Sequence, residues 1–133
     1  MIKTPAFAFR LDPQSGVPVY RQIIDQVLGG RASGKLSVGD QLPTVRQVAV
    51  DLAINPNTVV RAYRELEIRG ILETQQGTGT FIAAKKVKPD DVERRRRLAQ
   101  LVAEFVARAG GEGFTVQDLK EHLDDQAETN RKR

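Results

Sequence analysis

Two helix starts in quick succession, Thr44-Val45-Arg46-Gln47 and Asn55-Pro56-Asn57-Thr58, leave this chain few folds to choose from. Thr44 is a good N-cap, because its hydroxyl can accept a hydrogen bond from an orphan N–H of the first turn. Gln47 stands three residues on, where a capping box has its second member. Asn55 caps the next helix, and Pro56 takes the first helical position, where a missing N–H costs nothing. Pro56 also drives Asn55 out of the helical region, so the turn between the helices is tight and well fixed. Ile54 is placed to staple onto Val59.

Periodicity says which way each helix faces. Val45, Val48, Ala49 and Leu52 form one apolar face. In the following helix Val59, Ala62, Tyr63 and Leu66 share a side at about 100° per residue, and Asn57, Arg61 and Arg64 share the other. Gly70 ends that helix. Ile71-Leu72-Glu73-Thr74 then pairs with Thr80-Phe81-Ile82 across a loop from Gln75 to Gly79. A helix, a tight turn, an outward-facing helix and a two-stranded wing outline a winged helix-turn-helix, a shape that places one helix in a DNA major groove. The expected fold is mainly α with a small β-wing over residues 1–84, followed by a linker and a short helical dimerisation tail over 85–133.

The flanks complete the outline. Phe7, Phe9 and Leu11 alternate with Ala8 and Arg10, which predicts a short strand before the turn Asp12-Pro13-Gln14-Ser15-Gly16. A helix starts near Pro18, with Tyr20, Ile23, Ile24, Val27 and Leu28 as its buried stripe; Gly29-Gly30 weakens it and Gly34 ends it. Lys35 to Leu42 reads as a loop that packs Leu36 and Leu42 inward. Beyond Ala84, Lys85-Lys86-Val87-Lys88-Pro89 is a linker, and a helix follows from about Asp90 to Ala109, broken by Gly110-Gly111. Thr115 to Leu123 forms a last short helix, with Thr115 and Asp118 at capping spacing. Asp124 to Arg133 is expected to fray.

Composition excludes several classes of function. At 133 residues there is room for one small domain and an appendage, and 5% aromatic content will not line a large apolar cavity. A net charge of +4 leans toward an anionic partner, although 17 acidic residues offset 21 basic ones. With no cysteine there is neither a disulfide nor a thiolate metal site; no cofactor or metal is expected. No apolar run approaches the roughly 20 residues of a membrane span, and the N-terminus lacks a signal-peptide stretch, so the expected location is the cytoplasm. The one histidine, His122, lies in the last helix, and no phosphate-binding loop or ligand cluster is present; the sequence does not read as an enzyme.

Beyond the local pattern, the chain resembles the GntR family of bacterial transcription regulators, and within it the short YtrA-like subfamily. The matching stretches are Gly16-Val17-Pro18-Val19-Tyr20-Arg21-Gln22-Ile23, Gly39-Asp40-Gln41-Leu42-Pro43-Thr44-Val45-Arg46 and Leu52-Ala53-Ile54-Asn55-Pro56-Asn57-Thr58-Val59. They continue through Arg61-Ala62-Tyr63-Arg64-Glu65-Leu66-Glu67 to Gly77-Thr78-Gly79-Thr80-Phe81, covering roughly residues 9–83. The resemblance implies a homodimer bound to an imperfect palindrome, usually as a repressor of an operon that often encodes an ATP-driven transporter. Most family members carry an arginine directly after the recognition-helix cap, where this chain has Pro56. That departure moves base reading toward Asn57, Thr58 and Arg61.

DNA binding separates into positioning and reading. Arg46 can reach a phosphate or a guanine edge, as the family's matching arginine does; its bland alternative is a solvated or acid-paired side chain. Thr44 and Thr58 can offer hydroxyls to phosphates, although a threonine at 44 also serves as a cap alone. Asn57 suits adenine and Arg61 guanine, each bidentate pair being worth about 1–3 kcal/mol of discrimination, and Arg64 suits the backbone. Gly77 and Gly79 let the wing tip approach a sugar-phosphate wall, with Gln76 or Thr78 entering the minor groove. The run Arg94-Arg95-Arg96-Arg97 reads as a solvated helix surface, since residues 85–133 hold 12 basic and 10 acidic side chains.

Leu98, Leu101, Val102, Phe105 and Val106, with Leu119 and its neighbours Val116 and Leu123, give the tail an apolar stripe that a lone helix and one companion cannot bury. Packing against a two-fold mate covers it and sets the two recognition helices about one turn of DNA apart, ~34 Å. Folding back on the wing domain is the alternative. An unidentified small-molecule effector, if one exists, is expected to act at the dimer seam or between tail and wing domain. The rival to operator binding is a winged-helix module for protein–protein contact or RNA, which predicts no palindromic site and weak salt dependence.

Overall fold

The computed structural model describes residues 7–84 and 91–131, with side chains to 127. Five helices and one hairpin follow in the order α1 (Val19–Ser33), α2 (Val45–Leu52), α3 (Pro56–Ile68), β1 (Leu72–Gln75), β2 (Gly79–Ile82), α4 (Asp91–Gly111) and α5 (Val116–Arg131). The fold is mainly α with a two-stranded antiparallel wing. The chain divides into two compact units, Met1–Lys85 and Lys86–Arg133. The linker assigned to Lys85–Pro89 and the helix start at Asp90 lie outside the described residues.

In the first unit α3 is the hub, with α1 and α2 packed along it and β1 against it. Its core joins Ile23, Ile24 and Val27 of α1, Val48 and Ala49 of α2, and Val59, Ala62, Tyr63 and Leu66 of α3 to Leu36, Leu42, Leu72 and Ile82. Tyr20 and Leu28, expected in the buried stripe of α1, are only partly buried at its margin. Gly30 sits inside α1 because the helix passes close to Leu36: a Cβ there would meet Leu36 Cδ1 at 2.9 Å. The glycine that weakens the helix thus makes room for the loop that packs on it.

The segment holding Phe7, Phe9 and Leu11 is not a strand. Alternation alone supplies no pairing partner, and here a side chain takes that place. Arg10 N–H donates to Gln26 Oε1 at 2.9 Å, and Gln26 Nε2 donates to the Arg10 carbonyl at 2.6 Å. Phe9 still turns into the core and meets Tyr63 with ring centres 6.5 Å apart.

Two boundaries in the second unit also differ from expectation. Gly110-Gly111 does not break α4, which runs through both and stops at Gly113 with φ +90°. There Gly113 N–H donates to the Gly110 carbonyl and Phe114 N–H to that of Ala109, each at 3.0 Å, closing the helix in a Schellman motif. A helix ends where a residue adopts the left-handed conformation, and of these glycines only Gly113 does. Helix α5 continues to Arg131 rather than ending at Leu123. Its start matches the spacing: Thr115 N–H donates to Asp118 Oδ2 at 2.8 Å, and Asp118 N–H to Thr115 Oγ1 at 3.1 Å. Hydrogen bonds to the Asp118 carboxyl from the Thr115 backbone N–H and, less strongly, from its side chain hold that carboxyl below the usual carboxylate range.

Candidate nucleic-acid interface

Local capping sets the two helices of the candidate site. Thr44 Oγ1 accepts from Gln47 N–H at 3.1 Å, and Asn55 Oδ1 accepts from Asn57 N–H at 2.8 Å with Pro56 opening α3. Between them Ala53 takes the left-handed conformation, φ 56° and ψ 48°, and is the one non-glycine residue with positive φ among those described. Ile54 N–H donates to the Ala49 carbonyl at 3.0 Å across this turn. An alanine held in that region carries strain of order 1 kcal/mol, which the surrounding packing offsets.

Tyr63 fixes the roll of α3. Its hydroxyl donates to the Pro43 carbonyl at 2.7 Å in a buried site, tying α3 to the residue just before the α2 cap. Burial pushes the Tyr63 phenol well above its usual range, so it stays protonated and remains a donor. With Val59, Ala62, Tyr63 and Leu66 inward, Asn57, Arg61 and Arg64 are all exposed on the opposite side of α3, and Thr58 is partly buried at its flank. Arg46 is exposed in the first turn of α2, and among the described residues it has no hydrogen-bond or ion-pair partner. Thr44 is exposed but serves as the α2 cap.

Arg61 is not a free side chain. Its Cζ lies 3.7 Å from the centre of the Tyr20 ring of α1, a cation–π contact. Tyr20, Asn57, Arg61 and Arg64 line one open cleft. The sequence placed Tyr20 in a buried stripe and in a stretch that matches the family, and no local pattern links positions 20 and 61.

The wing pairs Leu72 with Ile82, Glu73 with Phe81, Thr74 with Thr80 and Gln75 with Gly79, which leaves Gln76, Gly77 and Thr78 exposed at the tip. The loop is thus shorter than the expected Gln75–Gly79, since both of those residues belong to the strands, and the first strand starts at Leu72 rather than Ile71. The connection before α2 adds to the sheet. Leu42 N–H donates to the Thr80 carbonyl at 2.9 Å, and Gln41 bridges to Phe81. Gln41 Nε2 donates to the Thr78 carbonyl at 3.1 Å, so this side chain lies across the wing turn. Gly79, at φ +138°, leaves the space for it: a Cβ there would collide with Gln41 Nε2. Gln41 is a wing support that the sequence quoted only as part of a motif. Thr74 Oγ1 donates to Glu67 Oε1 at 3.0 Å, linking wing to α3.

In the second unit Leu98, Leu101, Val102 and Phe105 are exposed, as are Phe114, Val116 and Leu123, whereas Val106 and Leu119 are partly buried. Arg94 to Arg97 are exposed; Arg95 Nε donates to the Asp91 carbonyl and Arg97 to Gln100 Oε1, bonds local to α4. Among the described residues no group of acidic, histidine or cysteine side chains is arranged to hold a metal ion. No helix among them is long and apolar enough to cross a membrane.

A capped helix pair, an outward cationic face on the second helix and an adjoining hairpin define a winged helix-turn-helix of the DNA-binding class. The family model for bacterial regulatory proteins of the gntR family matches residues 18–82. The transcriptional repressor YtrA of Bacillus subtilis is 47% identical over 115 residues, which is 86% of this chain and 88% of that protein. Among solved structures, a transcriptional antiterminator from Listeria monocytogenes superposes with a TM-score of 0.66 at 26% identity, covering 91% of this chain and 90% of that one. YtrA from Sulfolobus acidocaldarius, a GntR-family transcription factor, gives 0.55 at 30% identity over 74% of this chain and 97% of that one. The chain belongs to the gntR family of DNA-binding transcription regulators and is YtrA-like within it. That family is regulatory and not enzymatic.

Proposed function

We propose that this protein is a homodimeric, cytoplasmic repressor that binds an inverted-repeat operator. The reading rests on one observation: α3 buries Val59, Ala62, Tyr63 and Leu66 while presenting Asn57, Arg61 and Arg64 on its free side. Residues 1–84 form the DNA-binding domain, with recognition helix 56–69 and wing 71–82, and residues 85–133 form the linker and dimerisation segment. Asn57 reads adenine and Arg61 guanine, with Thr58 at the groove edge. Thr44, Arg46 and Arg64 hold phosphates, and Gln76, Gly77, Thr78 and Gly79 carry the wing tip to the minor groove. The exposed stripe of Leu98, Leu101, Val102 and Phe105, continued by Val106 and Leu119, supports self-association, because a two-fold mate would take these side chains out of water.

Repression, rather than activation, follows the similar B. subtilis protein, which is named a repressor. The regulated operon is expected to encode a transporter, and any small-molecule effector to act at the dimer seam. Selection of preferred duplexes from random DNA tests the reading. An inverted repeat with half-sites about one helical turn apart is the expected product. Absence of any sequence preference at moderate salt overturns it. So does preferential retention of RNA, an outcome worth scoring because the Listeria neighbour is called an antiterminator.

A further inference from the structure

We infer that Tyr20 is a positioning residue for base recognition: its ring holds the Arg61 guanidinium in the orientation from which Arg61 reads its base. The inference rests on the operator reading above and deepens it. Arg61 Cζ lies over the Tyr20 ring, 3.7 Å from its centre, a separation at which a planar guanidinium can lie flat on an aromatic face. Its N–H donors lie in the guanidinium plane, and among the described residues none of them has a hydrogen-bond or ion-pair partner. Those donors are the ones a bidentate contact to guanine O6 and N7 uses. Stacking and reading therefore employ different surfaces of the same group and do not compete.

The acid beside this cleft does not hold Arg61. Glu65 lines it, but its carboxylate is engaged by Arg69 at 3.3 Å. An unsupported arginine on an exposed helix face samples many rotamers and gives them up on binding; one already stacked gives up fewer.

Tyr20 can act as a support because its own helix start is fixed. Gln22 Nε2 donates to the carbonyls of Val17 at 2.9 Å and Asp12 at 3.0 Å, and Asp12 N–H returns a bond to Gln22 Oε1 at 2.8 Å. The loop entering α1 is thereby clamped to the first turn that carries Tyr20, and α1 packs along α3. The ring sits partly buried against the core, with Asn57 and Arg64 in the same cleft.

The test compares duplex selection by the full-length protein with its Arg61→Ala, Tyr20→Phe and Tyr20→Leu variants. Tyr20→Phe keeps the ring and is expected to select the same repeat with the same base preferences. Tyr20→Leu is expected to lose about 2- to 5-fold of discrimination at the one base pair per half-site that Arg61→Ala also relaxes, leaving other positions unchanged. Adding Tyr20→Leu to Arg61→Ala should cost no further discrimination. Equal weakening on all duplexes, an effect at a different base pair, or no effect overturns the inference.

A measurement on the unsubstituted protein guards against a variant that fails to fold. The Arg61 side-chain Nε–H resonance should be displaced by the ring current of Tyr20, and its absence also refutes the contact. If the unsubstituted protein selects no repeat, the operator reading fails and this inference falls with it. If it selects a repeat that Tyr20→Leu reads identically, the inference alone fails.

Discussion

In Met1–Lys85 the side chains of Ile23, Ile24, Val27, Val59 and Leu66 are wholly shielded from water. In Lys86–Arg133 Ala109 is the one buried apolar residue among those described, and Leu98, Phe105 and Leu123 stand more than half exposed. Both units contain helices with side-chain caps, at Thr44 and Asn55 in the first and Thr115 in the second, so the contrast is not one of local propensity. Helices need a packed face, and only the first unit supplies one from within itself. The first unit buries its own apolar stripe; the second leaves most of its stripe exposed.

The sharpest way to break this comparison is to cut a leucine in each unit. Leu66→Ala should cost about 2–5 kcal/mol of unfolding free energy in urea. Leu101→Ala, measured at protein concentrations below any self-association, should change it by less than about 0.5 kcal/mol. If the Leu101 variant proves equally costly there, the second unit has a core of its own and the comparison fails.

Next in size is Tyr63→Phe, which leaves the buried Pro43 carbonyl without its 2.7 Å donor. A loss of about 1–3 kcal/mol is expected by calorimetry. Smaller again are the paired cap deletions. Thr44→Ala and Thr115→Ala each remove a threonine that accepts a backbone N–H bond at 3.1 Å. Each should cost its own helix about 1 kcal/mol. In the first unit that loss should appear in the cooperative melt, whereas in the second it should appear as local exchange of amide protons at the start of α5.

The smallest effect is acid-dependent. Hydrogen bonds from the Thr115 backbone and side chain lower the folded-state pKa of Asp118. A depressed carboxyl stabilises α5 fully above its unfolded pKa, and that contribution is lost as pH falls through the folded value. Amide exchange at Thr115 and Asp118 should therefore quicken only below the ordinary carboxylate range. Quickening near neutrality would point to another group.

How legible each part was depends on the range of the interaction that makes it. Thr44, Asn55 and Pro56 act within a few residues, so both helix starts and the face of α3 could be read directly. The Phe7–Leu11 segment could not, because whether alternation becomes a strand depends on a partner, and Gln26 fills that role from 16 residues away. Three glycines near 110 offered three stopping points, and only backbone conformation distinguishes Gly113. In the candidate interface, the outward set of Asn57, Arg61 and Arg64 follows from period alone. The props beneath it, Tyr20 under Arg61 and Gln41 under the wing, reach across 41 and 37 residues and leave no local trace. Ala53 was missed for the opposite reason: the left-handed corner usually advertises itself with glycine, and here tertiary packing imposes it on alanine.

Because the buried side chains that anchor α3 lie on its inner side, positions 57 and 64 on its outer side are free to vary. Substitutions at positions 57 and 64 touch no buried contact, so changes of side chain there should leave the melting temperature almost untouched. Under the proposed operator reading, base preference at position 57 can therefore change by a single step without an unstable intermediate. Position 61 is the exception, because its guanidinium lies against Tyr20 of the first helix and a substitution there also removes a contact between helices.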